Sequence, residues 1–105
     1  MDQEEQEPKY VISIAAKMVG VQTHTLRYYE RIGIIEPSRS RRRIRLYSEK
    51  DITQLRRVKT LVEELGVNLA GVEVILRMVQ RISALQQQVE ELEIEIEQFR
   101  EVKGQ

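Results

Sequence analysis

Apolar side chains recur along the last third of the chain at alternating steps of three and four: Ile75, Met78, Ile82, Leu85, Val89, Leu92, Ile96 and Phe99. Each pair of steps spans seven residues, the a/d repeat of a coiled coil, and the a positions Ile75, Ile82, Val89 and Ile96 are all β-branched. The pattern predicts one helix from about Val72 to Val102, roughly 46 Å long at ~1.5 Å per residue. A small domain cannot cover a stripe of that length, and no second long helix is written into the sequence. A second copy of the chain is expected to cover it.

Upstream the periods are shorter. Tyr10-Val11-Ile12 is a β-prone run, and Ser13 is placed to cap a helix through Ile14, Ala15, Ala16, Met18 and Val19, which Gly20 stops. A second helix starts between Gln22 and His24 and runs to about Ile32, before Gly33. Pro37 forbids continuation, and Arg43-Ile44-Arg45-Leu46-Tyr47 alternates basic and apolar at period two. That alternation predicts a β-hairpin with Ser38 to Arg42 near its turn. Ser48-Glu49-Lys50-Asp51 resembles a capping box. It opens a helix with the stripe Ile52, Leu55, Val58, Leu61, Val62 and Leu65; Gly66 ends it and Asn68 can cap the next. Met1 to Lys9 has no periodicity. The expected organisation is a disordered acidic tail (1–9), a winged helix-turn-helix domain (10–71) and a coiled-coil dimerisation helix (72–103), a mainly α protein.

Charge sharpens this picture. The 17 Lys and Arg balance 17 Asp and Glu over the 105 residues, but they are not evenly spread. Lys9 to Lys59 holds 13 bases against four acids, a net of +9, whereas residues 60–105 hold four bases against nine acids. A basic module between acidic flanks is the pattern of a chain that meets phosphates with one part only. With no cysteine there is no disulfide, zinc-thiolate or thiol chemistry. No run of about 18 apolar residues is present, so no membrane span is expected, and the acidic start is the opposite of a signal peptide. A cytoplasmic, nucleoid-associated protein is the expectation.

The first two predicted helices are joined by a turn that allows only an abrupt change of direction. A helix-turn-helix needs a small residue at the crossing and a glycine in the turn; Ala16 and Gly20 stand four apart. Ala15, Val19, Val21, Leu26 and Tyr29 fall at the internal positions. Helical spacing then leaves Gln22, Thr23, His24, Arg27 and Tyr28 on the outer face of the second helix. Short polar residues at its start suit base edges, and Arg27 suits guanine or phosphate. Arg39, Arg41, Arg42, Arg43 and Arg45 lie on the hairpin beside it, where a wing tracks phosphates or enters a minor groove. Arg56, Arg57 and Lys59 are expected to extend the basic surface. These features favour double-stranded DNA; an RNA partner lacks any supporting aromatic pattern. His24, the single histidine, has no second ligand for a metal. No cofactor is expected, and with no nucleophile–base pair or phosphate-binding glycine loop, no enzyme is expected either.

Leu26-Arg27-Tyr28-Tyr29-Glu30-Arg31-Ile32-Gly33-Ile34-Ile35-Glu36-Pro37 resembles the MerR family of bacterial regulators, as does Arg45-Leu46-Tyr47-Ser48-Glu49-Lys50-Asp51-Ile52. Leu65-Gly66-Val67-Asn68-Leu69-Ala70-Gly71-Val72-Glu73 is similar to its heat-shock repressor (HspR) branch. The resemblance runs from Tyr10 to about Leu76; the C-terminal helix matches only in kind. It implies a homodimer held by an antiparallel coiled coil on an inverted-repeat operator, repressing heat-shock or chaperone genes, with a DnaK-type chaperone as co-repressor. By position it implies that Thr23, His24 and Arg27 face bases or nearby phosphates and that Tyr28, Arg45 and Tyr47 meet the backbone. Family wings usually carry glycine at the tip, where this chain has Ser40-Arg41-Arg42-Arg43. The cysteines of metal and redox sensors and the effector domain of drug sensors are missing. Two other readings stay open: regulation of nitrogen or glutamine metabolism, whose repressors share a similar Gly-Val-Asn segment, and a coiled-coil adaptor whose basic face binds an acidic protein. Seam charges do not choose an orientation. An antiparallel pairing sets Ile82 opposite Leu92 and Arg81 beside Glu95, while a parallel one pairs Glu95 with Arg100.

Overall fold

The computed structural model describes residues 2–104, without the side chains of residues 2 and 3, and these form two compact units that divide between Leu69 and Ala70. Within the first, the order is α1 (Asp2–Gln6), β1 (Tyr10–Val11), α2 (Ile12–Val19), α3 (Thr23–Arg31), β2 (Ser38–Arg39), β3 (Arg45–Tyr47) and α4 (Glu49–Lys59), which continues as a widened π turn over Thr60–Glu64. The second is one helix, α5 (Leu69–Lys103).

The tail expected to be disordered carries α1, which packs beside α4. A five-residue helix shows no period of its own; tertiary contact holds it. The chain after it is anchored too: the Lys9 amide donates to Tyr47 O at 3.1 Å and the Tyr10 hydroxyl donates to Glu49 Oε1. Tyr10 then pairs with Tyr47 and Val11 with Leu46, placing β1 on a three-stranded sheet of order β1-β3-β2. This pairing explains why α2 starts earlier than Ser13 suggests. Val11 is held extended by the sheet (φ −69°, ψ 162°) and becomes the N-cap without a side-chain bond, leaving Ser13 inside the first turn.

α2 ends where a left-handed residue is needed. Gly20 has φ +85°, and the amides of Gly20 and Val21 both donate to Ala16 O, at 2.8 and 3.0 Å. The chain turns within three residues into α3. Ala15 and Ala16 are buried where the two helices meet, and Leu26 and Tyr29 of α3 are buried with Val19. Ile34, Ile35 and Pro37 thread the core between α3 and the sheet. Gln54 Nε2 fastens that segment by donating to Ile34 O at 2.7 Å.

α4 begins with the expected reciprocal cap: Ser48 Oγ accepts from the Asp51 amide at 3.1 Å, and the Ser48 amide donates to Asp51 Oδ2 at 2.9 Å. Ile52, Leu55 and Val58 fill the core, while Leu61 and Val62 are half-buried. Leu65, the sixth member of the expected stripe, is instead 67% exposed. The π turn inserts an extra residue per turn, so the 3.6-residue stripe loses phase before it reaches Leu65.

Along α5 the seam from Met78 to Phe99 is open to solvent, its members 42–64% exposed. Ile75 is half-buried. Ion pairing on this helix includes Arg77 to Glu73 at 2.7 Å, one turn apart.

Candidate nucleic-acid interface

The first unit is a winged helix-turn-helix: α2 and α3 around Gly20, with β2 and β3 as the wing. On α3, Gln22, His24, Arg27 and Tyr28 are exposed and Thr23 is half-buried. The helix turns one face, carrying Leu26 and Tyr29, into the core, which leaves the polar positions on the other. Arg31 stands over the Tyr28 ring, 5.6 Å from its centroid.

The wing arginines fall into two groups. Arg41, Arg42 and Arg43 are exposed around the tip and make no side-chain hydrogen bond or ion pair among the described residues. Arg39 and Arg45 are held by Glu30 of α3. Arg45 Nε lies 2.6 Å from Glu30 Oε2, and Arg39 Nη2 lies 2.8 Å from Oε1 and 3.2 Å from Oε2. The sequence placed all five together on a phosphate-facing wing and overlooked Glu30. A signal was available: Glu30 is one of only four acids in the basic block, and two arginines opposite each other on a hairpin need a counter-charge.

The tip itself is tight. The Ser40 amide donates to Ile44 O at 2.9 Å and the Arg43 amide to Ser40 O at 2.8 Å, while Ser40 Oγ accepts from the amides of Arg42 and Ile44. Arg43 takes up the left-handed conformation, φ +63°, that a glycine would adopt without strain. The missing tip glycine is thus replaced by an arginine in glycine's conformation.

Tyr47 does not stand where it was expected. It is 0% exposed at the centre of the sheet, and its hydroxyl finds no hydrogen-bond partner among the described residues. Two residues apart on β3, Arg45 and Tyr47 share the strand face turned towards α3; Arg45, nearer the wing, reaches Glu30 at the rim, while Tyr47 lies within the core. Burial first, then the nearby Glu30 carboxylate, push its ionisation above the ordinary tyrosine value. Two basic residues of α4 are also spoken for. Arg56 Nη2 and Lys59 Nζ donate to Met18 O and Val19 O, at 3.3 and 3.2 Å, satisfying the last carbonyls of α2 where cations suit the helix dipole. Arg57 stays exposed.

Residues 10–79 match the family model described as MerR HTH family regulatory protein. The chain belongs to the MerR family. Among its relatives, the heat shock protein HspR of Streptomyces coelicolor is 42% identical over 88 residues, 84% of this chain and 58% of that protein. The mercuric resistance operon regulatory protein of Bacillus cereus is 38% identical over 77 residues, covering 72% of this chain and 58% of that one. GlnR of Bacillus anthracis is 31% identical over 71 residues, 68% of this chain and 54% of its own length. The chain thus spans less than three fifths of these MerR-family relatives. Of solved structures, HiNmlR, a MerR-family regulator lacking the sensor domain and bound to promoter DNA, superposes with a TM-score of 0.62 at 21% identity, over 87% of this chain and 75% of that one. A MerR-family regulator from Bacillus cereus gives 0.57 at 26% identity, over 81% and 73%. No helix among the described residues is long and apolar enough to cross a membrane.

Proposed function

We propose that this MerR-family protein is a sequence-specific, double-stranded-DNA-binding transcriptional regulator that acts as a homodimer on an inverted-repeat operator and represses heat-shock or chaperone genes. The observation that carries the reading is the exposed outer face of α3 beside three unpaired tip arginines on the same winged unit. α3 enters a major groove, where Gln22, Thr23, His24 and Arg27 reach base edges and nearby phosphates and Tyr28 meets the backbone. Arg41, Arg42 and Arg43 take flanking phosphates. The choice of target genes follows the 42% identity to HspR, against 31% to GlnR, which makes nitrogen or glutamine metabolism the second choice. A DnaK-type chaperone as co-repressor and action in the cytoplasm beside the nucleoid belong to the same reading.

The solvent-open seam of α5 supports the dimer: the seven apolar side chains from Met78 to Phe99, in heptad register, leave water by pairing. The antiparallel register buries apolar against apolar throughout, Ile75 on Phe99, Met78 on Ile96, Ile82 on Leu92 and Leu85 on Val89.

Sequencing the DNA that co-purifies with the protein identifies the operator, and Arg27→Ala then tests the site. The variant should stay dimeric and lose specific binding, and wild-type affinity should fall steeply with salt. Unchanged operator binding by Arg27→Ala would overturn the placement of α3. Protein capture with no duplex shifted would favour an adaptor for an acidic partner.

A further inference from the structure

The five wing arginines are not equivalent, and the residue that divides them lies on the helix rather than the wing. Arg39 and Arg45 are direct cross-strand partners in the β2–β3 register, a position where like charges repel. Glu30 sits against both, its side chain only 18% exposed, and its two oxygens receive four donor contacts of 2.6 to 3.2 Å. Arg39 also reaches the tip, its Nη1 donating to Arg43 O at 3.3 Å. One carboxylate therefore ties the end of α3 to both strands and, through Arg39, to the left-handed residue at the turn. The tip arginines have no such tether.

We infer that Glu30 is a positioning residue that sets the wing's place relative to α3 and withholds Arg39 and Arg45 from phosphates, so that the wing meets DNA with Arg41, Arg42 and Arg43 alone. The inference rests on the DNA-binding reading above and deepens it. Guanidinium groups free to swing would take any phosphate in reach, raising affinity for every duplex alike. Held groups add nothing to that term. They fix the distance between the helix in one groove and the free charges beside it, and register of this kind lets base contacts discriminate.

The test is the slope of log affinity against log salt on a random-sequence duplex, where each phosphate neutralised contributes about 0.9. In the whole 105-residue chain, Arg41→Gln and Arg42→Gln should each flatten the slope by about 0.9 per protomer, about 1.8 for the dimer, whereas Arg39→Gln and Arg45→Gln should leave it unchanged. Glu30→Gln should steepen it by up to about 1.8 per protomer, about 3.6 for the dimer, which is roughly a further 12-fold loss of affinity for each doubling of salt. The same variant should lower the ratio of operator to random-duplex affinity. Adding Arg39→Gln and Arg45→Gln to Glu30→Gln should return the slope to the wild-type value, a rescue that a purely structural ion pair does not produce. If Arg39→Gln flattens the slope as much as Arg41→Gln, the clamp is refuted while DNA binding stands, and that comparison holds even if Glu30→Gln fails to fold. A wild-type protein that binds no duplex, or binds one without salt dependence, removes both.

Discussion

Tyr47→Phe separates a core tyrosine from a DNA contact by a single oxygen atom. The ring is fully buried at the centre of the sheet, and its hydroxyl has no hydrogen-bond partner among the described residues. In the unfolded chain that hydroxyl is hydrated. Burying an unpaired hydroxyl costs about 1–3 kcal/mol on the scale of protein mutational data, and phenylalanine removes the cost while keeping the ring's packing. A gain of about 1 kcal/mol is expected, because the ring edge loses the oxygen's own dispersion contacts. For a unit of this size that corresponds to a Tm rise of roughly 4–8 °C. Melting should be compared at fixed protein concentration, since pairing makes Tm depend on it. Tyr47→Ala, which empties the site, should instead cost about 3–5 kcal/mol. Operator affinity of Tyr47→Phe should match wild type. A fall in Tm would show that the hydroxyl is satisfied in the fold. A fold-neutral variant that loses operator affinity would return Tyr47 to the DNA surface.

Arg43→Gly should relieve the left-handed strain and raise stability slightly, by about 0.5 kcal/mol after glycine's extra unfolded-state entropy, while flattening the salt slope by about 0.9 per protomer, about 1.8 for the dimer; a destabilised variant would contradict the tip geometry. Ser48→Ala removes the α4 cap and should lower stability by about 1 kcal/mol in denaturant titrations, with the m-value unchanged. Leu85→Lys, at a solvent-open seam position, should give monomers in analytical ultracentrifugation while the circular dichroism of the winged unit persists; a stable dimer would refute the seam. Stability should be level from neutral pH to about 10 and fall above it. Tyr29 and Tyr47 by burial first, and Tyr10 by its bond to Glu49 first, have folded ionisation above the ordinary value, so their contribution is complete below the unfolded value and lost as pH rises through the folded one. Thermal melts from pH 8 to 11 check this, and a rising Tm would reverse the sign.

Features with a local cause could be read from the residues alone. Gly20 ends α2 because left-handed backbone is cheapest there, Ser48 and Asp51 cap α4 within one turn, and the seam of α5 repeats often enough to declare its period. The outer face of α3 followed from helical spacing once Leu26 and Tyr29 were assigned inward. What the tertiary structure decided depends on partners distant in the chain. β3 had two faces, and only its pairing with β1 and β2 under α3 sent Tyr47 inward and Arg45 onto Glu30, fifteen residues away. Arg56 and Lys59 looked like free surface charge until the end of α2, some forty residues earlier, supplied carbonyls. α1 has no stripe and forms where α4 receives it. Local propensity and period act over a few residues, whereas the pairing of charges and the burial of a strand face are settled by whatever the fold brings alongside.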